Sequence, residues 1–175
     1  MISAIVAIDE NNGIGYNNEL LCSIPEDMQR FKELTLLKAV VMGRKTWESL
    51  PKKPLKDRFN VIITHNPKEI EIPKGYEDYV IACTLDDIKK VLGWTEKEYV
   101  IIGGEAIYKE LLPYVNVLYI TRLHKSFEKV DAFFPDFLKE EPENWELACK
   151  SSQYFHKDIP YSFECYKRPI DFYEK

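Results

Sequence analysis

Residues 14–35, IGYNNELLCSIPEDMQRFKELT, are the part of the chain around which we expect the fold to be organised. Ser23, with Glu26 three residues later, predicts a capping box at a helix start, and Pro25 suits the first helical turn. Because each helical residue turns by about 100°, the less polar side chains should share one face. They are Ile24, Met28, Phe31 and Thr35, with Leu34 at the margin of this face.

Asp27 does not follow this pattern, because it projects between Phe31 and Leu34 on the face that the helix should bury. An unpaired buried charge is costly, so this carboxyl must find a partner or stay protonated. Such a group is a candidate acid or an anchor for a ligand. Two structural alternatives stay open: acids are favoured in a first helical turn, and Arg30 at i+3 is within pairing reach.

Composition and length set the class of protein. A chain of 175 residues with 45% hydrophobic and 13% aromatic residues predicts one globular domain, residues 1–175. A formal net charge of −5 gives no reason to expect nucleic acid as the main partner. The apolar N-terminus runs straight into Asp9 and Glu10, so we interpret it as a strand and not as a signal peptide. No apolar run approaches the ~20 residues of a membrane span.

The four cysteines have no metal-type spacing, and the sequence predicts no metal site. In a chain of this size they are interpreted as free thiols of a cytoplasmic protein. Cys149 and Cys165 fall on predicted neighbouring strands, so a pairing between these two stays open.

Strands and helices alternate along the chain. Apolar runs predict buried strands at residues 2–8, 38–43, 59–64, 79–82, 99–102 and 116–123. Helices are predicted at residues 23–35, 44–50, 85–93 (capped by Thr84) and 105–113, and residues 9–19 are interpreted as a loop. Residues 145–153 and 161–167 predict two antiparallel strands joined by a turn. The sequence therefore predicts a single α/β domain: a mixed, mainly parallel sheet of about eight strands with an antiparallel C-terminal edge, flanked by about four helices.

Two strand-to-helix junctions carry residues suited to phosphate binding. Gly43, Arg44, Lys45 and Thr46 combine a glycine, two cations and a hydroxyl at a helix start. The segment YVIIGGEAIY (residues 99–108) has two glycines at the same kind of junction but lacks the full dinucleotide fingerprint. The first could also be a basic surface turn, and the second only a tight turn. Both fall at carboxyl ends of strands, so together they indicate one ligand with separated phosphates, such as NADP.

These segments, in this order and spacing, resemble dihydrofolate reductases of the bacterial chromosomal type along nearly the whole chain. The resemblance rests on IVAID, NNGIG, IPEDM-x-x-F-K, VVMGRKTWESLP, the single Arg58 before a buried strand, VIIGGEAIY, LYITRL and DAFFPDF.

The resemblance implies a substrate site around one acid. Asp27 matches the acid that accepts hydrogen bonds from N3 and the 2-amino group of the pterin, and Thr121 matches the hydroxyl that supports this carboxylate. Arg58 matches the arginine that binds the α-carboxylate of the glutamate tail through a planar fork. The apolar walls are matched by Ile5, Val6, Ala7, Met28, Phe31, Leu50, Leu55 and Ile102.

The resemblance also implies an NADPH site, with residues 38–96 as the adenosine-binding subdomain. Arg44 should lie near the 2′-phosphate, Gly103-Gly104 should be joined by a cis peptide bond, and Tyr108 should edge the nicotinamide as a third catalytic group. The implied cofactor contacts are Ala7, Ile14, Gly15, Leu20, Gly43, Arg44, Lys45, Thr46, Ile63, Thr64, His65, Gly103, Gly104, Glu105, Ala106, Ile107 and Tyr108.

The lid over the nicotinamide is the segment DENNGIGYNNELLCS (residues 9–23), and Asp131 matches a residue that contacts it. The chain departs from the family here, because Leu21-Cys22 stands where a tryptophan usually follows a proline. This departure concerns lid packing, ligand affinity and rate, and not the reaction itself.

The resemblance implies a cytoplasmic, monomeric oxidoreductase that transfers a hydride from NADPH to C6 of 7,8-dihydrofolate, with protonation of N5, and that binds antifolates. Two alternatives are the related NADPH-dependent pyrimidine reductase of riboflavin synthesis and a non-catalytic nucleotide-binding protein. The first should lack the combination of Asp27 and Arg58, and the second has no need of an acid or a lid.

Overall fold

The computed structural model describes residues 1–169, within which there are five α-helices and twelve β-strands. The helices are α1 (Pro25–Thr35), α2 (Arg44–Ser49), α3 (Leu85–Leu92), α4 (Glu105–Leu111) and α5 (Phe137–Glu140). The strands are β1 (Ile2–Ile8), β2 (Gly13–Tyr16), β3 (Glu19–Leu20), β4 (Ala39–Gly43), β5 (Phe59–Ile63), β6 (Val80–Cys83), β7 (Tyr99–Gly103), β8 (Val117–Leu123), β9 (Ala132–Phe133), β10 (Glu146–Lys150), β11 (Tyr154–His156) and β12 (Ile159–Lys167). No helix in this described part of the chain is long and apolar enough to cross a membrane.

Strand β1 lies inside the main sheet and is paired in parallel on both sides, with β7 and with β8. Six of its seven residues are buried, and only Ala7 is partly accessible. A strand covered on both faces needs an almost continuous apolar run, which is what ISAIVAI supplies. The prediction of a buried strand at residues 2–8 is confirmed.

The main sheet has the strand order β10-β12-β8-β1-β7-β4-β5-β6, and β11 also pairs with β12. Every pairing from β8 to β6 along this order is parallel, whereas β12 is antiparallel to β8 and to β10. The predicted mixed sheet with an antiparallel C-terminal edge is confirmed. Parallel strands end at the same edge of a sheet, so Gly43, Ile63 and Gly103 come to the edge at which β1 ends.

Two hydrophobic cores cover the two faces of the sheet. Ile8 packs in one core with Leu92 of α3 and Leu111 of α4. Ile5 packs in the other core with Trp47 of α2, and side chains of α1 border it. Since successive strand residues point to opposite faces, β1 contributes to both cores.

Residues 9–19 contain more regular structure than the predicted loop. Strands β2 and β3 form a hairpin, and β9 pairs with β2 to complete a separate three-stranded antiparallel sheet. The hairpin turns at Asn17 and Asn18, whose φ angles are 52° and 62°. Asparagine tolerates this left-handed backbone better than most residues, which suits a tight two-residue hairpin. The prediction of a loop is therefore wrong for residues 13–16 and 19, which lie in β2 and β3.

The start of α1 also differs from the prediction. The helix is preceded by Ile24 as N-cap, and no side-chain cap hydrogen bond is formed there, so the predicted capping box of Ser23 and Glu26 is wrong. Pro25 does occupy the first turn. A capping box is present at α3 instead, where the Thr84 hydroxyl accepts from the Asp87 amide and the Asp87 carboxylate accepts from the Thr84 amide.

The C-terminal edge contains three strands, where the sequence predicts two. Both β10 and β11 pair with β12 in antiparallel fashion. Cys149 and Cys165 stand directly opposite each other in the β10–β12 ladder, and both are free thiols. The pairing that the sequence left open is therefore not formed.

We expect Thr84→Ala to lower the free energy of unfolding by about 1 kcal/mol, because one helix cap is lost. Ser23→Ala, which removes a hydroxyl that caps nothing, should stay within about 0.5 kcal/mol of the parent. Urea unfolding of the two variants checks this comparison. An equal loss in both would mean that Ser23 caps α1 in solution.

Candidate active site

Asp27 and Thr121 join α1 to β8 at the centre of the site. Thr121 is buried and faces Ala7 in the β1–β8 ladder, and its hydroxyl donates a hydrogen bond to Oδ1 of Asp27. Burial raises the pKa of Asp27, and the hydrogen bond from Thr121 and the positive charge of Arg30 oppose this rise. Burial is the largest of the three effects, so the net direction of the change in the pKa of Asp27 is upward.

Several of the residues expected to form the apolar wall come together in one core. Ile5 lies in the core that Phe31, Leu50, Leu55 and Ile102 border, so strands, α1 and the loop after α2 contribute to one surface. Met28 is 46% exposed on the same helix as Asp27. Val6 is different, because its side chain packs in the opposite core. The alternation of strand side chains prevents Ile5 and Val6 from lining the same wall with their side chains.

Arg58 is held at the end of this wall. Its Nη1 donates to the Thr35 hydroxyl at 3.0 Å, and its Nε donates to the Lys56 carbonyl at 2.8 Å. Partial burial lowers its pKa, with the charge of Asp57 opposing this effect. These two bonds fix the plane of the guanidinium, which a bidentate carboxylate contact requires.

Tyr108 connects α4 with strands β1 and β7. It is buried, and its hydroxyl donates to the Ile5 carbonyl at 2.7 Å. Burial raises the pKa of Tyr108 well above its usual range, so the hydroxyl stays protonated and keeps this hydrogen bond. Its ring lies against Gly103, where a Cβ would come within 3.2 Å of Cε2.

The two glycine junctions lie close together. The Gly103–Gly104 peptide bond is cis, as the resemblance implies. A Cβ on Gly43 would lie 3.9 Å from the Gly104 amide nitrogen, and a Cβ on Gly104 would lie 3.5 Å from the Thr46 hydroxyl. Gly43 and Gly104 are also the N-caps of α2 and α4, and neither helix has a side-chain cap. Uncapped amides at closely spaced helix starts fit the pyrophosphate of a dinucleotide.

The residues expected around the 2′-phosphate follow strands β4 and β5 at the same edge of the sheet. Arg44 is exposed and its Nη1 donates to Glu48 Oε1 at 2.7 Å, and Lys45 is exposed beside it. Thr64 is partly buried and accepts from the Asn66 amide. The other expected cofactor residues on this side are Ile63, which is buried, and His65, which is exposed.

The lid is connected to the rest of the protein through Asp131. Its amide donates to the Gly15 carbonyl at 3.1 Å, and its Oδ2 accepts from the Asn17 amide at 3.0 Å. The expected contact between Asp131 and the lid is therefore present. Leu20 in the lid is 63% exposed. Also expected at the cofactor are Ile14, which packs against the core, together with buried Ile107 and exposed Ala106.

Two further attachments of the lid were not expected from the sequence. Asp9, which is fully buried, accepts hydrogen bonds from the amides of Asn11, Gly13 and Phe127. Glu105, at the start of α4, accepts from the Phe133 amide in β9. An aspartate with a glycine four residues later, directly after a buried strand, is the pattern that could have indicated the first attachment.

Cys22 is the residue that the resemblance aligns with a tryptophan. It is half-buried and packs, as Leu21 does, against a buried cluster formed by Ile24, Leu123 and Tyr161. Burial, with a contribution from the charge of Asp27, raises the pKa of the Cys22 thiol. A small uncharged side chain therefore lies close to the acid.

A carboxyl bonded to Thr121, together with a cis glycine pair at the carboxyl ends of parallel strands, fits an enzyme that binds a dinucleotide next to its substrate. A family model described as dihydrofolate reductase matches residues 1–168, and the chain belongs to this family. Its activity is the NADPH-dependent reduction of dihydrofolate to tetrahydrofolate. The pyrimidine reductase and the non-catalytic alternatives are not favoured.

Individual relatives agree with this assignment. The dihydrofolate reductase of Bacillus subtilis (strain 168) is 34% identical, with 94% of this chain and 91% of the relative covered. That of Buchnera aphidicola subsp. Acyrthosiphon pisum is 39% identical, with 93% and 94% covered. A solved dihydrofolate reductase from Enterococcus faecalis, complexed with NADP(H) and RAB-propyl, has a TM-score of 0.80 and 31% identity, with 96% of each chain covered.

We expect Cys22→Trp to leave the fold intact and to change ligand affinity or turnover, because a large ring at this place would fill the space beside Asp27. Fluorescence titration with folate and steady-state kinetics check this expectation. Ser23→Trp, next along the chain but exposed, is the matched control for adding an indole. If Cys22→Trp matched the parent in both measurements, the departure from the family would have no functional meaning.

Proposed function

We propose that the residues around Asp27 bind the pterin of dihydrofolate and that Asp27 supports protonation of N5 during its reduction. The observation that carries this proposal is a partly buried carboxyl whose pKa is raised, bonded to Thr121 and carried by the helix whose Phe31 packs against the apolar core. Two carboxylate oxygens match two adjacent donors, N3 and the 2-amino group, in geometry and charge. Thr121 positions the acid, because its hydrogen bond fixes the plane of the carboxylate.

Arg58 sets the orientation in which the substrate binds. Its guanidinium is anchored at the far end of the wall by Thr35 and Lys56, and it binds the α-carboxylate of the glutamate tail. The aminobenzoyl ring then lies along Phe31, Leu50 and Leu55. A pterin on the acid and a carboxylate on the arginine orient the substrate in the cleft.

The nucleotide side is formed by the amides at Gly43 and Gly104, which bind the pyrophosphate. Residues 38–96 hold the adenosine, with Arg44, Lys45, Thr64 and His65 around the 2′-phosphate. NADPH supplies the hydride when it is bound. Tyr108 edges the nicotinamide, and its hydrogen bond to the Ile5 carbonyl holds this edge against the substrate wall.

The lid excludes water from the reacting atoms. Asp131 binds its hairpin, and Asp9 binds its base. In a dry cleft the electrostatic effect of Asp27 on the pterin is stronger than it would be in water.

We further infer that the enzyme works as a cytoplasmic monomer and that antifolates occupy the dihydrofolate site. Its four cysteines are free thiols, which supports a reducing compartment. The formal net charge of −5 supports a small-molecule function without nucleic acid.

The first test of this proposal is Asp27→Asn, which keeps the size of the side chain but removes its charge and its exchangeable proton. The variant should fold and bind NADPH normally and should lose most turnover near neutral pH. Because the pKa of Asp27 is raised, the parent keeps a protonated fraction to higher pH than a free carboxyl would, and its rate should fall as pH rises through that raised pKa. The variant should regain rate only as acid protonates the substrate in solution.

Hydride transfer is followed by NADPH absorbance with dihydrofolate, from mildly acidic to mildly basic pH. NADPH affinity, measured separately by fluorescence, is the control for the nucleotide side. Near-parental turnover at neutral pH, or loss of NADPH binding together with activity, would show that Asp27 is structural.

The second test is Arg44→Leu, which should weaken NADPH binding far more than NADH binding. A charged hydrogen bond to the 2′-phosphate is worth about 1.5–3 kcal/mol. Arg44 is exposed and bonded to Glu48 in the structure, so the lower end of this range is expected. Lys139→Leu, which removes an exposed charge on α5, is the matched control. Equal losses for both dinucleotides would refute the placement of the 2′-phosphate.

A further inference from the structure

Arg30 is a cation whose surroundings are unusual for a surface helix. It follows Asp27 by three residues on α1, and its Cζ lies 4.5 Å from the ring centroid of Phe163 in β12. The ring of Tyr119 in β8 lies 5.7 Å away. Contacts between a guanidinium and aromatic faces at these distances are attractive, and they hold the side chain in one place.

The guanidinium of Arg30 does not form the contacts of a structural ion pair. Nη1 is buried and has no hydrogen-bond partner among residues 1–169. Within the same residues, Arg30 forms no ion pair with Asp27 at 4.0 Å or less. The sequence alternative in which Arg30 neutralises Asp27 by direct pairing is therefore not realised. What stays in place is a positive charge, one helical turn from the acid, held by rings and not by a carboxylate.

We propose that Arg30 is a positioning residue that acts on the reaction through Asp27, as a fixed positive charge that favours the ionised carboxylate. A partly buried charge is weakly screened, so it acts over a distance at which an exposed lysine has little effect. The direction agrees with the lowering of the pKa of Asp27 by Arg30, which partly offsets the effect of burial. This inference rests on the proposed role of Asp27 in turnover.

The other groups around Asp27 do not supply a positive charge at this place. The Thr121 hydroxyl from β8 is neutral, and so are the Tyr108 and Tyr161 hydroxyls and the Cys22 thiol, since burial raises the pKa of each of these three groups. The positive charge of Lys125 lowers the pKa of Cys22, and the negative charge of Glu26 raises the pKa of Tyr161. Among the described residues, Arg30 is the one cation that contributes to the pKa shift of Asp27.

The test compares Arg30→Gln and Arg30→Lys in the full-length enzyme. Removing the charge should raise the pKa of Asp27 by about 0.5–1 unit, which is a three- to tenfold change in its protonated fraction at a fixed pH above that pKa. Arg30→Lys should retain much of the parental value, because the charge is kept. The carboxyl is titrated directly by ¹³C NMR of aspartate-labelled enzyme, and the pH profile of hydride transfer is measured beside it.

Two further variants test whether the effect comes from the charge of Arg30 and from its position. Lys32→Gln removes an equal charge from an exposed position of α1 and should leave both measurements unchanged. Phe163→Leu keeps Arg30 but removes the closer ring, and it should move the pKa of Asp27 in the same direction as Arg30→Gln by a smaller amount.

The decisive comparison places Arg30→Gln in the Asp27→Asn background. If Arg30 acts through Asp27, the second substitution should not change the pH profile of the residual activity. A parental pKa of Asp27 in Arg30→Gln, or an equal change of profile in both backgrounds, would overturn the inference about Arg30 alone. Parental turnover in Asp27→Asn would instead overturn the proposed role of the acid, so the two failures are distinguishable.

Discussion

The parallel pairing of β1 with β7 and β8 is the constraint on which the rest of the site depends. It sets Ala7 beside Thr121 and brings β7, with its glycine pair, to the same edge. Tyr108 then reaches back from α4 to the Ile5 carbonyl. A change of register by one residue would turn Thr121 to the opposite face and separate it from Asp27. The backbone hydrogen bonds of the sheet therefore fix Thr121 and the two glycine junctions, and the Thr121 hydroxyl then joins Asp27 of α1 to this frame.

Opposing electrostatic effects determine the pKa of Asp27. Burial disfavours the charged carboxylate, whereas Thr121 and Arg30 favour it. A group under such opposing effects changes its charge with small changes around it, such as the closing of a lid or the arrival of a polar ring. This sensitivity is useful in catalysis and costly for stability, because burying a carboxyl without full compensation weakens the fold. In this protein the loss of stability arises at Asp27 of α1.

The parts of the fold that the sequence predicted are those whose patterns are local. Strand β1 and strand β7 are apolar along their length because both faces are covered, and such runs are visible without any partner. The two-residue strands β3 and β9 carry no periodicity, and they exist only because β2 pairs with both. Ser23 has the sequence pattern of a capping box, but only Thr84 forms one. The pattern alone does not show which residue becomes the N-cap with an extended backbone. The location of Arg30 depends on Phe163, more than 130 residues away in the chain, which no local pattern contains.

The attachment of the lid base to Asp9 limits where the length of this chain can change. Three amides from two segments converge on one buried carboxylate, and hydrogen bonds to charged groups are worth about 1.5–3 kcal/mol each. An inserted residue between Asp9 and Gly13 would break two of these bonds at once. The exposed turn at Asn17 and Asn18 is attached by a single side-chain hydrogen bond, from the Asn17 amide to Asp131. Insertions that lengthen the lid are thus compatible with this fold at the tip of the hairpin and incompatible with it at the base.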